Sequence, residues 1–212
     1  MGLIAVFDFD GTLIKEDSMM LFFRRYYKYS LSITGISLML FWETIKFFMK
    51  INSQKQYKEK FLNLVISSIK NKSLEEVISD FSKYLLKKIL KDAFQEINRL
   101  KEKGYKTILL SASPDFYLEE IKEALGFSEL ICTQTSLKGN EILITGENCF
   151  GQNKVARLLE QYPKDSTDWQ GSYCFTDNSS DMGLLSLFGN PFVVNNSKMA
   201  AKNPGVKNMV WK

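Results

Sequence analysis

The stretch Leu3-Ile4-Ala5-Val6-Phe7-Asp8-Phe9-Asp10-Gly11-Thr12-Leu13 decides the reading of the fold. Five consecutive apolar residues closed by acidic and turn-forming ones read as a short strand buried on both faces. Side chains alternate along an extended segment, so Asp8 and Asp10 point the same way just past the strand's end. Two carboxylates in one small space repel, so either one takes a proton or a cation sits between them. Gly11 lets the chain turn away and lets a ligand approach the backbone. The stretch has no basic region and meets Asp8 early, which reads as a strand and not as a signal peptide.

Outward from this strand the texture changes twice. Between Lys15 and Leu100 there is no proline and long segments have helical spacing. A first helix is expected around Leu21 and Phe22, and an apolar segment covers Leu31 to Met49. A further helix runs from about Ser53 to Ile69. Ser73-Leu74-Glu75-Glu76 is a capping box opening another, and a fifth runs from about Asp92 to Lys103, stopped by Gly104. Beyond it strands alternate with helices. Lys106 to Leu110 is strand-like, and Ser113-Pro114 reads as a helix start, with Ser113 as N-cap and Pro114 at the first helical position. Gly126 ends that helix. Glu129–Thr133 and Ile142–Thr145 read as strands, with a turn at Lys138-Gly139-Asn140. Asn153–Gln161 is helical, Ser172–Thr176 is a strand, a helix follows to Gly189, and Phe192–Val194 is a last strand. Alternating strands and helices imply a mostly parallel sheet covered on both faces. The expectation is therefore an α/β, Rossmann-like core made of residues 1–14 and 91–212, with an all-helical cap domain, 15–90, inserted after the first strand.

Composition narrows the chemistry. The 212 residues are 45% apolar and 25% charged, which fits a globular chain and not a disordered one. Histidine is absent, which removes Ser-His, Cys-His and His-metal mechanisms together. The three cysteines, Cys132, Cys149 and Cys174, match no zinc or thioredoxin spacing. They read as free thiols of a reducing cytoplasm. With 28 basic and 24 acidic residues the net charge of +4 is no nucleic-acid-binding excess, and no nucleic acid partner is expected.

Ligands of open parallel sheets sit beyond the carboxyl ends of the strands. Four such ends here carry polar groups: Asp8 and Asp10, Ser111, Lys154 entered through Gly151, and Asp177 with Asp181 four residues on. Singly, each has a plain structural use as a cap, a turn or a solvated charge. Jointly, two or three carboxylates, a hydroxyl and an ammonium describe a magnesium-and-phosphate site. Oxygen donors without His or Cys clusters favour Mg²⁺ over zinc.

Four motifs in order carry a family resemblance: Asp8-Phe9-Asp10-Gly11-Thr12-Leu13, Leu110-Ser111-Ala112-Ser113, Gly151-Gln152-Asn153-Lys154 and Thr176-Asp177-Asn178-Ser179-Ser180-Asp181. The chain resembles the haloacid dehalogenase superfamily of phosphatases, subfamily IB, the branch that includes phosphoserine phosphatase. The likeness spans nearly all of the core and, in the cap, only placement and size. It implies a phosphoric monoester hydrolase in which Asp8 attacks phosphorus and becomes an aspartyl-phosphate. It implies that Asp10 protonates the leaving oxygen and then activates water, and that Asp8, the Asp10 carbonyl and Asp177 hold Mg²⁺. Ser111 would donate to phosphoryl oxygens, Lys154 would neutralise them, and Asp181 would orient Lys154 or a metal-bound water. Gly11, Thr12 and Asn178 would support the site. One position departs: the fourth motif usually has Gly where this chain has Thr176, whose branched side chain restricts the backbone and adds a hydroxyl.

The expected substrate is a small phosphorylated metabolite in the cytoplasm. Asp17 stands where phosphoserine phosphatases carry an acid that meets the substrate amine; its plain use is as an N-cap. Residues 24–60 offer a second reading. Arg24, Arg25, Lys28, Lys46, Lys50, Lys55, Lys58 and Lys60 stand there against Glu43 and Glu59, interleaved with Phe41, Trp42, Phe47 and Phe48. Such a surface suits an anionic membrane. The alternative function is therefore a membrane-associated lipid phosphatase of the phosphatidylglycerophosphate type, peripheral at the inner face of the membrane. A catalytically weak binding protein on the same fold is the rival outside enzymes. The sequence leaves the oligomeric state open.

Overall fold

The computed structural model describes residues 2–26, 53–69, 72–139 and 141–212. Strand β1 (Ile4–Phe7) is followed by helix α1 (Ser18–Tyr26), then by α2 (Gln54–Ser67), α3 (Leu74–Leu86) and α4 (Lys91–Glu102). Next come β2 (Lys106–Pro114), α5 (Asp115–Leu125), β3 (Glu129–Thr133), β4 (Thr135–Lys138), β5 (Glu141–Ile144) and α6 (Gln152–Gln161). The chain closes with β6 (Tyr173–Thr176), α7 (Met182–Leu185), β7 (Asn190–Val194), α8 (Ser197–Lys202) and β8 (Lys207–Met209).

Six strands form one sheet in the order β3-β2-β1-β6-β7-β8, every neighbouring pair parallel. This is the α/β, Rossmann-like core that the alternation predicts. β1 lies at its centre, and its side-chain period of two splits it between two cores. Ala5 and Phe7 join Leu109 and Phe175 on one face, while Ile4 and Val6 join Ile108, Leu110 and Cys174 on the other. Phe7 stacks on Phe175 at 4.7 Å, and Phe175 meets Trp211 at 5.4 Å. All four residues of β1 are buried, so the first polar side chains after it are placed by a strand that cannot slip without turning a core face outward.

The inserted helices pack on the first of these faces. Phe22 of α1 and Tyr117 of α5 both make edge contacts with Phe81 of α3, at 5.0 and 5.2 Å. Apolar residues of α1, α2 and α3 thus share one continuous cluster with Phe7 and Leu109. Leu90 N–H donates to the Leu13 carbonyl at 2.9 Å, so the chain leaves and re-enters the core at adjacent points. Ser53 and Ser73 both close capping boxes, with Gln56 and Glu76. Helix α2 also covers the edge of the β4–β5 hairpin: Asn63 bonds both the carbonyl and the N–H of Ile142, at 2.7 and 2.8 Å, and Glu59 accepts from Ile144 N–H at 3.1 Å.

Several local expectations are corrected. Ser113 and Pro114 do not open a helix as N-cap and first residue; they end β2, where Pro114 still pairs with Thr133 across a register irregularity. The Ser113 hydroxyl is committed to Asp10, and α5 begins at Asp115 without a side-chain cap. The helix expected up to Gly189 is a 3-10 turn, Ser179–Asp181, followed by the four residues of α7. Gly189 is drawn back instead, its N–H donating to the Trp169 carbonyl at 2.8 Å. Helix α8 and the edge strand β8 have no counterpart in the sequence reading. The apolar segment Leu31–Met49 lies outside the described residues.

Candidate active site

The site grows from the end of β1. Past Asp8 the chain folds back on itself, the Phe9 carbonyl accepting N–H groups from Thr12, Leu13 and Ile14, with Leu13 closest at 2.8 Å. Gly11 makes this possible at φ +71°, and a Cβ there would stand 2.1 Å from Asp177 Oδ2. The glycine is thus required by backbone conformation and by the close approach of Asp177, whose Oδ1 accepts from the Thr12 hydroxyl at 3.3 Å. The loop after β1 and the loop after β6 meet at this contact.

Asp8 is buried. Its Oδ1 accepts the Phe9 N–H at 2.8 Å, and its Oδ2 lies 3.0 Å from Lys154 Nζ. Burial pushes its carboxyl well above the usual range, against the pull of Lys154. Asp10 accepts from Ser18 N–H at 2.7 Å and from the Ser113 hydroxyl. Burial also raises Asp10, and the nearby Asp17 carboxylate adds to it. Behind Ser113 the Ser18 hydroxyl lies 2.9 Å away, and Tyr117 OH follows at 2.8 Å. Three hydroxyls in line can donate in either direction, so the chain serves Asp10 in both of its charge states.

Lys154 enters in the first turn of α6 and is buried between two carboxylates, 3.0 Å from Asp8 Oδ2 and 2.7 Å from Asp181 Oδ2. Burial alone would lower its pKa; Asp8 and Asp181 outweigh it and hold the ammonium above lysine's ordinary value. Thr176 contacts the same two oxygens, at 3.3 Å for Asp8 and 2.9 Å for Asp181. Ser111 is buried at the end of the apolar run in β2, its oxygen accepting Ser113 N–H at 3.0 Å. Asn178 caps the 3-10 turn through Ser180 N–H at 3.0 Å. Asp181 does not share that cap; it is turned inward to Lys154.

A cavity of about 260 Å³ opens on this cluster, with Asp8, Asp10, Asp17, Ser111, Lys154 and Asn178 in its wall. Six of the residues singled out by sequence thus line one space. Asp177 and Asp181 stand behind it, Asp177 against Gly11 and Asp181 against Lys154. Asp17 is exposed at the cavity, and its Oδ1 serves the plain use expected of it, capping α1 by accepting Met20 N–H at 2.9 Å. A larger hollow, about 730 Å³, lies between α2, α3 and β5; its wall is mostly apolar with a charged rim and holds none of these groups.

No pattern in the sequence separates Lys58 from the other basic residues of 24–60. It is buried, reaches the cavity from α2 and donates to the Ala112 carbonyl at 2.6 Å and to Asn148 Oδ1 at 2.7 Å. Burial pushes its ammonium down to about 8. Arg25, by contrast, is held by Asp80 at 3.0 Å and lies 4.6 Å from the Tyr84 ring, an internal tie of the inserted helices. Phe22 and Tyr26 are buried, while Lys28, Phe41, Trp42, Phe47 and Phe48 lie outside the described residues. Among the described residues no helix is long and apolar enough to cross a membrane, and the three cysteines are free and buried.

Among the described residues no three His, Cys, Asp or Glu side chains converge as a metal cluster. The donor set implied by the family is two carboxylates and a carbonyl, all oxygen. Burial raises both carboxyls, Asp8 and Asp177, and the Gly11 contact brings Asp177 onto the loop that bears Asp8 and the Asp10 carbonyl. Oxygen donors with poorly solvated charge fit a hard divalent ion.

A family model described as haloacid dehalogenase-like hydrolase matches residues 5–186. A Streptomyces azureus protein named for inhibition of morphological differentiation is 23% identical over 197 residues, covering 90% of this chain and 71% of that one. The crystal structure of a hydrolase of the same family from Salmonella enterica serovar Typhi matches with a TM-score of 0.73 at 16% identity, over 98% of this chain and 66% of that one. A phospho-aspartyl intermediate analogue of a phosphoserine phosphatase matches with a TM-score of 0.65 at 18% identity, over 100% of this chain and 94% of that one. At these identities the structural likeness is one of fold.

Proposed function

Since the chain belongs to the haloacid dehalogenase-like hydrolases, we propose that it is an Mg²⁺-dependent phosphatase that hydrolyses a small phosphate monoester through an aspartyl-phosphate on Asp8. The observation that carries this is the cluster itself: a buried carboxyl, Asp8, a half-buried one, Asp10, and a buried ammonium, Lys154, face a single cavity from the loop after β1 and from α6.

In this reading an oxygen of Asp8 attacks phosphorus, and the bond to the substrate's alcohol oxygen breaks with its electron pair. Asp10 gives that oxygen a proton. A water then attacks phosphorus, passes a proton to Asp10 and returns the electron pair to Asp8. The raised carboxyl of Asp10 suits a group that must both give and take a proton near neutral pH. Lys154 faces the charge of the phosphoryl group, and the Ser111 hydroxyl, with its oxygen already accepting Ser113 N–H, has a proton to donate to it. Asp8, the Asp10 carbonyl and Asp177 would hold Mg²⁺, which neutralises phosphoryl charge when bound. Asp17 and Lys58 face the other end of the substrate with opposite charges. The cavity's modest volume supports a small metabolite.

The test is turnover of a generic aryl phosphate by the purified protein, with Mg²⁺ and after exhaustive chelation. Mg²⁺-restored turnover is expected, with Ca²⁺ inhibiting because it prefers more ligands and longer bonds. Full activity in chelator refutes the metal reading, and no turnover of any phosphate in a metabolite panel refutes the phosphatase.

A further inference from the structure

Thr176 ends β6 with its side chain fully buried, at the position where the family motif usually has Gly. Its oxygen accepts Asn178 N–H at 3.1 Å, which leaves one proton to give. Two acceptors compete for it, Asp181 Oδ2 at 2.9 Å and Asp8 Oδ2 at 3.3 Å. Lys154 Nζ bridges the same two atoms at 2.7 and 3.0 Å. Asp8 and Asp181 are thus joined twice, by an ammonium and by a hydroxyl. The distances favour donation to Asp181 at rest, and rotation about the Cβ–Oγ bond redirects the proton to Asp8.

We propose that Thr176 is a positioning residue for breakdown of the phosphoenzyme: its hydroxyl turns to Asp8 as the phosphoryl group departs. This rests on the aspartyl-phosphate reading above. In that step water attacks phosphorus and gives a proton to Asp10, the bond from phosphorus to the Asp8 oxygen breaks, and its electron pair returns to the carboxylate. While phosphorylated, Asp8 carries no carboxylate charge and accepts hydrogen bonds weakly, so Thr176 stays with Asp181. As the charge returns it is shared by both oxygens, and a donor at Oδ2 stabilises it whichever oxygen bore the phosphorus. The same donor steadies the free carboxylate and so slows its attack on substrate. The effect is therefore directional, speeding the second half of the cycle relative to the first.

Thr176→Val removes the hydroxyl at nearly constant volume, Thr176→Ser keeps it, and Thr176→Ala also lacks it if the valine variant does not fold. The probe is p-nitrophenyl phosphate with Mg²⁺, read by steady-state kinetics and by acid-quenched, hydroxylamine-sensitive phosphoenzyme. In the valine or alanine variant the ratio of phosphorylated to free enzyme rises about tenfold, the lower end of what a hydrogen bond to a charged group is worth. kcat and KM fall together, and serine restores both. A ratio that stays at the wild-type level, or a fall in kcat/KM with KM unchanged, overturns the proposal. Turnover with no hydroxylamine-sensitive phosphoenzyme in any of the variants overturns the aspartyl-phosphate reading, and this proposal with it.

Discussion

The sheet side of the cavity and its helical side hold their charges by different means. Asp8 and Asp10 stand just past the end of β1, Ser111 within β2 and Lys154 in the first turn of α6; Asp8 is tied to Lys154, Asp10 to Ser113 of β2, and Ser111 to Ser113 within its own strand. On the helical side, Lys58 spans from α2 to the core through two hydrogen bonds, and Asp17 is exposed with one oxygen on a backbone N–H. The groups assigned to bond-making thus take their geometry from strand register, which a buried sheet fixes within narrow limits. The groups that face the rest of the substrate take theirs from helices outside the sheet, set by apolar packing against the core and by a few polar ties. A fold arranged this way can change what it selects without disturbing how it reacts.

The harshest way to break this division is Asp8→Asn. An amide is a poor nucleophile, so turnover of an aryl phosphate should fall roughly 10⁴-fold or more, in the range that loss of a nucleophile costs elsewhere. The melting temperature should hold within about 4 °C, the shift that ~1 kcal/mol produces in small domains. Measurable steady turnover by the purified variant sinks the assignment of Asp8.

Next in size is Asp10→Asn. Alkyl phosphates need their leaving oxygen protonated and should lose about 10²–10⁴-fold, the usual worth of general acid catalysis. Aryl phosphates, whose leaving groups are more acidic, should lose less, and equal losses count against the proton-transfer role.

Gly11→Ala probes the seam between the two core loops. A methyl group there meets the Asp177 carboxylate at φ +71°, so Asp177 must move. A displacement of this kind costs on the order of 10²-fold in turnover, together with a higher Mg²⁺ requirement in a titration. An alanine variant with wild-type Mg²⁺ dependence removes Asp177 from the metal site.

The gentlest test falls on the helical side. Lys58→Met should raise KM about tenfold for substrates with a second anionic group, as loss of one charged hydrogen bond does, and much less for aryl phosphates. Burial sets the Lys58 ammonium at about 8, so wild type keeps the charge below that pH and loses it above. The KM gap between wild type and variant should therefore narrow as pH rises past 8. A loss of kcat on aryl phosphates as severe as that of Asp10→Asn would erase the distinction between the two sides.

Much of the sheet side was legible in the sequence, because apolar runs announce strands and the residue after each run must stand at the sheet's edge. Asp8 and Asp177 follow directly from that rule. Ser113 departs from its expected place because Ser-Pro usually opens a helix; here β2 runs on four residues past Leu110 and the hydroxyl goes to Asp10. The hydroxyl that Thr176 adds is legible in the sequence, while its two partners, Asp8 and Asp181, are not. Lys58 was hidden among eight basic residues of 24–60, since which side of a helix meets a cavity depends on how the helix docks. β8, with Lys207-Asn208-Met209 at a sheet edge, has no alternation to betray it.

The place of β1 in the sheet has a consequence for how the protein is made. Ile4 N–H bonds the hydroxyl of Ser172, 168 residues later, and β1 pairs with β6 on one side and β2 on the other. Pairings of such sequence separation form late, after the cost of closing the loop has been met. At roughly 5–20 residues per second of synthesis, the segment bearing Asp8 waits on the order of ten seconds or more for β6 to appear. Until then its run of apolar residues can pair with β2 on one side only, and its other edge stays open, the kind of segment that invites chaperones or aggregation. Nascent chains stopped short of residue 172 should be insoluble or chaperone-bound, and the hydrolytic centre should arise in a single late event of the folding of this chain.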